Sequence, residues 1–100
     1  MAHFELASGR CSIAIQHRTV DELWFVLSGE AELWRKQGHR DEIILLGPGM
    51  SLSIPQGTQF QLRSIGVVAF AALGVTMPPW SGSEEAIEVE GPWKASVGAP

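Results

Sequence analysis

One cysteine, Cys11, stands in the whole chain of 100 residues. Its solitude excludes an internal disulfide and a thiolate metal site, and points to a reducing compartment, the cytoplasm. Basic residues are nearly as scarce: Arg10, Arg18, Arg35, Lys36, Arg40, Arg63 and Lys94 make seven against eleven Asp and Glu, for a formal net charge of −4. They are scattered, whereas a phosphate-binding surface needs them clustered, so nucleic acid is excluded as a partner. The opening residues Met1-Ala2-His3-Phe4-Glu5-Leu6 have no basic start followed by an apolar run and do not read as a secretory signal. The uncharged run Ser64 to Ser83 has the length of a membrane span but contains Gly66, Gly74, Gly82 and Pro78-Pro79. It reads as a buried strand and a rigid turn, and a transmembrane helix is excluded. Also missing are a sustained helical period, an internal repeat and a linker.

What is present suits one globular domain: 45% hydrophobic and 18% charged residues in a length with little core to divide. Period two is the dominant pattern. Cys11, Ile13, Ile15 and His17 share one face, with Ser12, Ala14 and Gln16 on the other, which predicts a half-buried strand carrying a histidine inward. Met50, Leu52 and Ile54 alternate with Ser51 and Ser53, and Phe60 and Leu62 with Gln59 and Gln61, so both segments read as strands lining a core. Residues 23–27 and 67–73 are apolar on both faces, as strands covered by a second sheet or another subunit would be. Gly29, Gly38, Gly47-Pro48-Gly49, Pro55 to Gly57 and Gly66 fall at the spacing of short antiparallel strands, and Ile54 to Gly57 suits a type I turn. After Thr76 the prolines around Trp80 end the sheet. Ser83 to Ile87 reads as one short helical turn capped by Ser83, Glu84 to Glu90 as a solvated face, and Lys94 to Pro100 as a loose tail.

The run Ile15-Gln16-His17, then Glu22, then Gly29, resembles the first signature motif of the cupin superfamily, in which two histidines one residue apart precede a glutamate and a glycine. Gly49, Pro55, Gly57, Phe60 and Ser64 resemble the second, in which a proline and a glycine precede a third histidine and usually an asparagine. The likeness spans residues 15–64, and the strand pattern extends it to about residue 76. The positions that resemble the four metal ligands are Ile15, His17, Glu22 and Phe60, with Ser64 in the asparagine's place. A stable transition-metal site generally needs three protein ligands, so His17 and Glu22 are an incomplete metal set. A divalent metal cofactor then depends on whether the fold brings His3 or His39 inward.

Residue chemistry points the same way without metal. A glutamate inside an apolar cup costs several kcal/mol unless paired, and His17 is the natural partner of Glu22. Some cupins, such as the sugar epimerases, move protons with a histidine and an acid and no metal; on that likeness His17 is the general base and Glu22 orients it or serves as the acid. The plainer alternative is a buried histidine satisfied by its carboxylate. Ser12, Ser28, Ser51, Ser53 and Ser64 lack a pattern that activates serine. Cys11 is about 20 Å from His17 along one strand and reads as core. Ile15, Trp24 and Phe60 line the cup around a ligand, Trp24 as a stacking platform; Trp34, Trp80 and Trp93 seal barrel ends or a subunit contact. Gln59, Gln61 and Arg63 join only if their strand twists them inward.

The expected protein is all-β, an antiparallel jelly-roll or cupin β-barrel over about residues 3–76, with a C-terminal extension over 77–100, in a single domain that forms a homodimer. The resemblance implies a protein binding a sugar, sugar acid or small carboxylate, with isomerase, epimerase or lyase chemistry at His17 and Glu22, and the lone cysteine places it in the cytoplasm. The alternatives are a non-catalytic binding or sensing module, favoured by a dry cup, a metal-binding enzyme, and a structural dimer with a filled cavity. Dioxygenase chemistry stands last, for want of ligands to a redox metal.

Overall fold

The computed structural model describes residues 1–79, 82 and 85–98. Among these, nine strands follow one another: β1 Ala2–Leu6, β2 Ala14–His17, β3 Asp21–Ser28, β4 Ala31–Gln37, β5 Arg40–Leu46, β6 Ser51–Ile54, β7 Gln59–Ser64, β8 Phe70–Met77 and β9 Ala86–Val89. They form two antiparallel sheets, in the orders β1-β8-β3-β6 and β5-β4-β7-β2-β9. The alternation expected from the sequence explains the core between them. Trp24 and Val26 from β3, Leu33 from β4, Ile54 from β6, Phe60 and Leu62 from β7, and Phe70 and Ala72 from β8 are all buried in one cluster.

Turn chemistry sets the registers. Gly29 has φ +78, and a Cβ there would lie 2.4 Å from the Ala69 carbonyl oxygen, so both the left-handed backbone and the close approach demand glycine. The Pro55 turn lies one residue later than expected. The Thr58 N–H donates to the Pro55 carbonyl at 3.1 Å. Gly57 therefore takes the third position with φ +82, the positive φ that a type II turn requires.

Four expectations are corrected along the chain. Residues 67–69 are a loop, with Val67 97% exposed, and β8 starts at Phe70. The segment read as a helical turn is partly outside the described residues at Ser83 and Glu84; Glu85 closes a 3₁₀ turn with its N–H on the Gly82 carbonyl at 3.1 Å, but the turn stops there and Ala86 and Ile87 belong to β9. The free edge of β2 offers a ladder there, and β9 takes it from Ala14↔Val89 to His17↔Ala86. The described part of the tail, through Gly98, is tied down rather than loose: Ser96 and Val97 donate their N–H groups to the Cys11 carbonyl at 2.8 and 3.1 Å. It covers the outer face of β7, where Gln61 donates to the Trp93 carbonyl at 2.8 Å and the Arg63 guanidinium sits 4.3 Å from the Trp93 ring centre. Cys11, finally, is not on the His17 face. Its sulfur lies 3.4 Å from Gln61 Nε2, under the tail, because the regular strand begins only at Ala14. Burial there pushes the Cys11 thiol up, against smaller lowering effects of Arg63 and Gln61.

Candidate functional site

His17 ends β2 and Glu22 is the second residue of β3, so the three-residue loop between the strands folds the two side chains together. His17 Nε2 and Glu22 Oε1 are 2.7 Å apart. The histidine is nearly sealed, at 3% exposure, while the glutamate keeps 15%. The His17 ring leans on Phe60, with centroids 5.2 Å apart. Around the pair lies a cavity of about 530 Å³ whose walls include Ile15, His17, Glu22 and Phe60, together with Gly74, Thr76 and Ala86. All four positions that resemble cupin metal ligands therefore face one space. Ile15 and Phe60 meet as cross-strand partners of β2 and β7.

Gly74 is a site residue that the sequence reading missed. It pairs with Trp24 across β3 and β8, and a Cβ on it would stand 2.8 Å from Glu22 Oε2. The bare backbone at that position makes room for the carboxylate. Trp24, expected on the cavity wall, is not among its lining residues. It is 2% exposed, edge-on to Phe4 at 5.0 Å and to Phe60 at 5.8 Å between ring centres. It therefore backs the cavity from the core and offers no stacking face. Gln59, Gln61 and Arg63 do not turn inward either. Gln61 bonds the Ser12 and Trp93 carbonyls, Arg63 pairs with Glu32, and Gln59 reaches Gln16 at 3.4 Å. Trp34 is buried with its N–H on Asp41 Oδ1 at 2.8 Å, and Trp80 lies outside the described residues.

The second missed residue is Glu85. Where a solvated acidic face was expected, Glu85 is 4% exposed, although Glu88 and Glu90 are exposed as read. Its carboxylate accepts the Thr19 hydroxyl at 2.6 Å, the Val20 N–H at 2.9 Å and the Thr19 N–H. Its carbonyl accepts the Arg18 N–H at 2.8 Å. The bond from the Thr19 hydroxyl holds the Glu85 carboxyl below the usual carboxylate range, helped by both backbone N–H groups and by His17, against the opposing effect of burial. No sequence signal marks such an acid, because most of its partners are backbone groups.

The donor set does not fit a divalent metal. Two of the four ligand-like positions are hydrocarbon, and the remaining two donors are hydrogen-bonded to each other. Among the described residues no group of three His, Cys, Asp or Glu side chains converges. His3 sits on β1 with half its side chain exposed and 3.9 Å from Glu5, and His39 is exposed in the β4–β5 turn.

Residues 2–75 match the cupin domain family, and the chain belongs to it. The antiparallel sandwich is accordingly the jelly-roll or cupin barrel. Similar solved structures include an oxalate decarboxylase, with a TM-score of 0.78 at 12% identity over 87% of this chain and 23% of that one. Another is the capsular polysaccharide assembling protein CapF from Staphylococcus aureus, with a TM-score of 0.72 at 17% identity over 88% of this chain and 27% of the other. A third is the Drosophila melanogaster CENP-C cupin domain, with a TM-score of 0.69 at 12% identity over 74% and 57%. The chain thus spans less than two thirds of the length of each, and at such identities the likeness establishes the fold alone. No curated protein matches the sequence. No described helix is long and apolar enough to cross a membrane.

Proposed function

We propose that this cupin binds a small organic molecule in the cavity, with its apolar body against Ile15, Phe60 and Ala86 and a hydroxyl group on Glu22. The observation that carries this reading is the His17–Glu22 pair, bonded at 2.7 Å on the wall of a mostly apolar space of about 530 Å³. That volume lies within the range of about 300–1,000 Å³ common for ligand pockets. Sugars and neutral hydroxyl-bearing rings suit the site. A sugar acid or small carboxylate suits it through its hydroxyls, since two carboxylates side by side repel.

A second reading, proton transfer of the isomerase, epimerase or lyase kind, has its own support. Glu22 is the more exposed member of the pair and has its second oxygen beside Gly74. Glu22 would then exchange the proton with substrate while His17, behind it, balances the charge, a reversal of the roles expected from sequence. The hydrocarbon at Ile15 and Phe60 favours binding without chemistry.

The test is a titration of ¹⁵N-labelled protein with phenol, 2-naphthol, benzoate, glucose and glucuronate. Amide shifts confined to residues around Ile15, His17, Glu22, Phe60 and Gly74, and lost in Glu22→Gln, are expected for at least one neutral compound. Shifts that are absent throughout, or scattered over the surface, refute the reading.

Two broader elements of the proposal rest on the surface and on Cys11. Leu23, Phe25, Val75 and Met77 are each 37–48% exposed on the outer face of β3 and β8; they suit a homodimer contact, which sedimentation analysis reads directly. The single buried, unpaired Cys11 suits a reducing compartment such as the cytoplasm.

A further inference from the structure

The cupin family match ends at residue 75, yet the cavity wall and the loop beneath it continue into the C-terminal segment. The three residues that join β2 to β3 are Arg18, Thr19 and Val20, and the backbone N–H of every one of them ends on Glu85: Arg18 on its carbonyl, Thr19 and Val20 on its carboxylate. The loop lies outside any regular ladder, Val20 is buried, and one residue supplies partners for all three N–H groups. The opposite side of the loop is held by Gly57, whose N–H donates to the His17 carbonyl at 3.0 Å, and by Asp21, whose carboxylate accepts the Gln56 N–H at 2.7 Å. The loop's path decides where His17 and Glu22 end relative to each other. Ala86, the next residue, is the β9 partner of His17 and stands on the cavity wall with only a methyl group.

We infer that this two-residue step outside the matched region completes the site: Glu85 positions the His17–Glu22 pair, and Ala86 sets the size of molecule that the cavity admits. The Ala86 half rests on the ligand-binding reading above. The Glu85 half does not, because it concerns the geometry of the pair itself. Substituting Ala86 by a larger residue fills the space beside His17, while substituting Glu85 releases the loop that carries the pair.

The experiment compares Glu85→Ala, Glu85→Gln and Ala86→Leu with the unmodified chain. It reads the His17 ring signals by ¹⁵N NMR, which report the bond to Glu22, and the affinities for phenol and 2-naphthol by titration. Glu85→Ala is expected to shift the ring signals and weaken both probes by at least about tenfold, as misplacement of a first contact does. Glu85→Gln keeps an amide oxygen for the Thr19 and Val20 N–H groups and is expected to keep the ring signals and both affinities near the unmodified values. A merely structural acid has no reason to separate these two variants by the His17 signals. Ala86→Leu is expected to leave the ring signals in place, exclude 2-naphthol and retain phenol.

Unchanged ring signals in Glu85→Ala overturn the positioning role, and undiminished 2-naphthol binding in Ala86→Leu overturns the size role. Should Glu85→Ala not fold, Glu85→Asp takes its place: the shortened carboxylate must shift the ring signals, and their constancy overturns the inference. If the unmodified chain binds neither probe, the ligand-binding reading and the Ala86 half fall together, and the ring signals alone decide Glu85.

Discussion

Replacing Gly74 by alanine puts a methyl group where the Glu22 carboxylate now lies. The added Cβ meets Glu22 Oε2 at 2.8 Å, short of the 3.4 Å at which ordinary contact begins, whereas Phe4 and Trp24 stand at 3.5 Å and need not move. Because the other oxygen of that carboxylate holds His17 Nε2 at 2.7 Å, the shift that clears the methyl group strains the pair and, at the limit, breaks it. A hydrogen bond to a charged group contributes about 1.5–3 kcal/mol. Exchanging a strand glycine for alanine returns about 0.5–1 kcal/mol of backbone entropy. At that limit the net loss is about 0.5–2.5 kcal/mol, a fall in Tm of roughly 2–20 °C in a domain of this size. Thermal unfolding followed by circular dichroism measures it, and the decisive comparison repeats Gly74→Ala in a Glu22→Ala background. With the carboxylate gone the methyl meets no obstruction, so the substitution becomes neutral or mildly stabilising. Equal destabilisation in both backgrounds would refute the reasoning, since the cost would then come from the sheet and not from the pair.

Two further outcomes follow from the geometry. The Glu85 carboxyl is depressed in the folded state, so its contribution to stability is fully present above the unfolded value of about 4.3 and is lost as pH falls through the lower folded value. Glu85→Gln should therefore have a lower Tm than the unmodified chain at pH 7, with the gap closing as the pH is lowered past 4; a gap independent of pH contradicts this. Replacing both Ile15 and Phe60 by histidine surrounds His17 and Glu22 with two more donors, enough for a transition-metal site. The double variant should take up Co²⁺ with visible absorption bands that the unmodified chain does not develop, and equal uptake by both would contradict the donor-set argument.

Much of the barrel was legible because a half-buried strand writes its two faces into alternate residues. Leu52 and Ile54, or Phe60 and Leu62, need no knowledge of distant sequence to be placed inward. The four positions Ile15, His17, Glu22 and Phe60, which line one cavity, were legible for the same reason, aided by the resemblance of their spacing to the cupin motifs. What escaped depends on contacts between distant segments. Gln61 occupies an outward position, and it is buried where the Ser12 and Trp93 segments meet over it. Trp24 was given the correct face but not its depth, which Phe4 from another strand decides. Glu85 stands in an acidic run that composition assigns to solvent, and the backbone donors that bury it have no side-chain signature.

The pairing of β9 with β2 also orders the assembly of the molecule in time. β2 is the second and β9 the ninth strand among the described residues, and between them they close a loop of about seventy residues. Until β9 arrives, the backbone groups of Ala14 to His17 form an open sheet edge beside an apolar hollow, a template for pairing with another chain. In the complete sheet the edge passes to β9, a strand of four residues, and the hollow is walled by Ala86. A chain that has formed β1 to β8 but not yet added β9 exposes both the β2 edge and the hollow behind it.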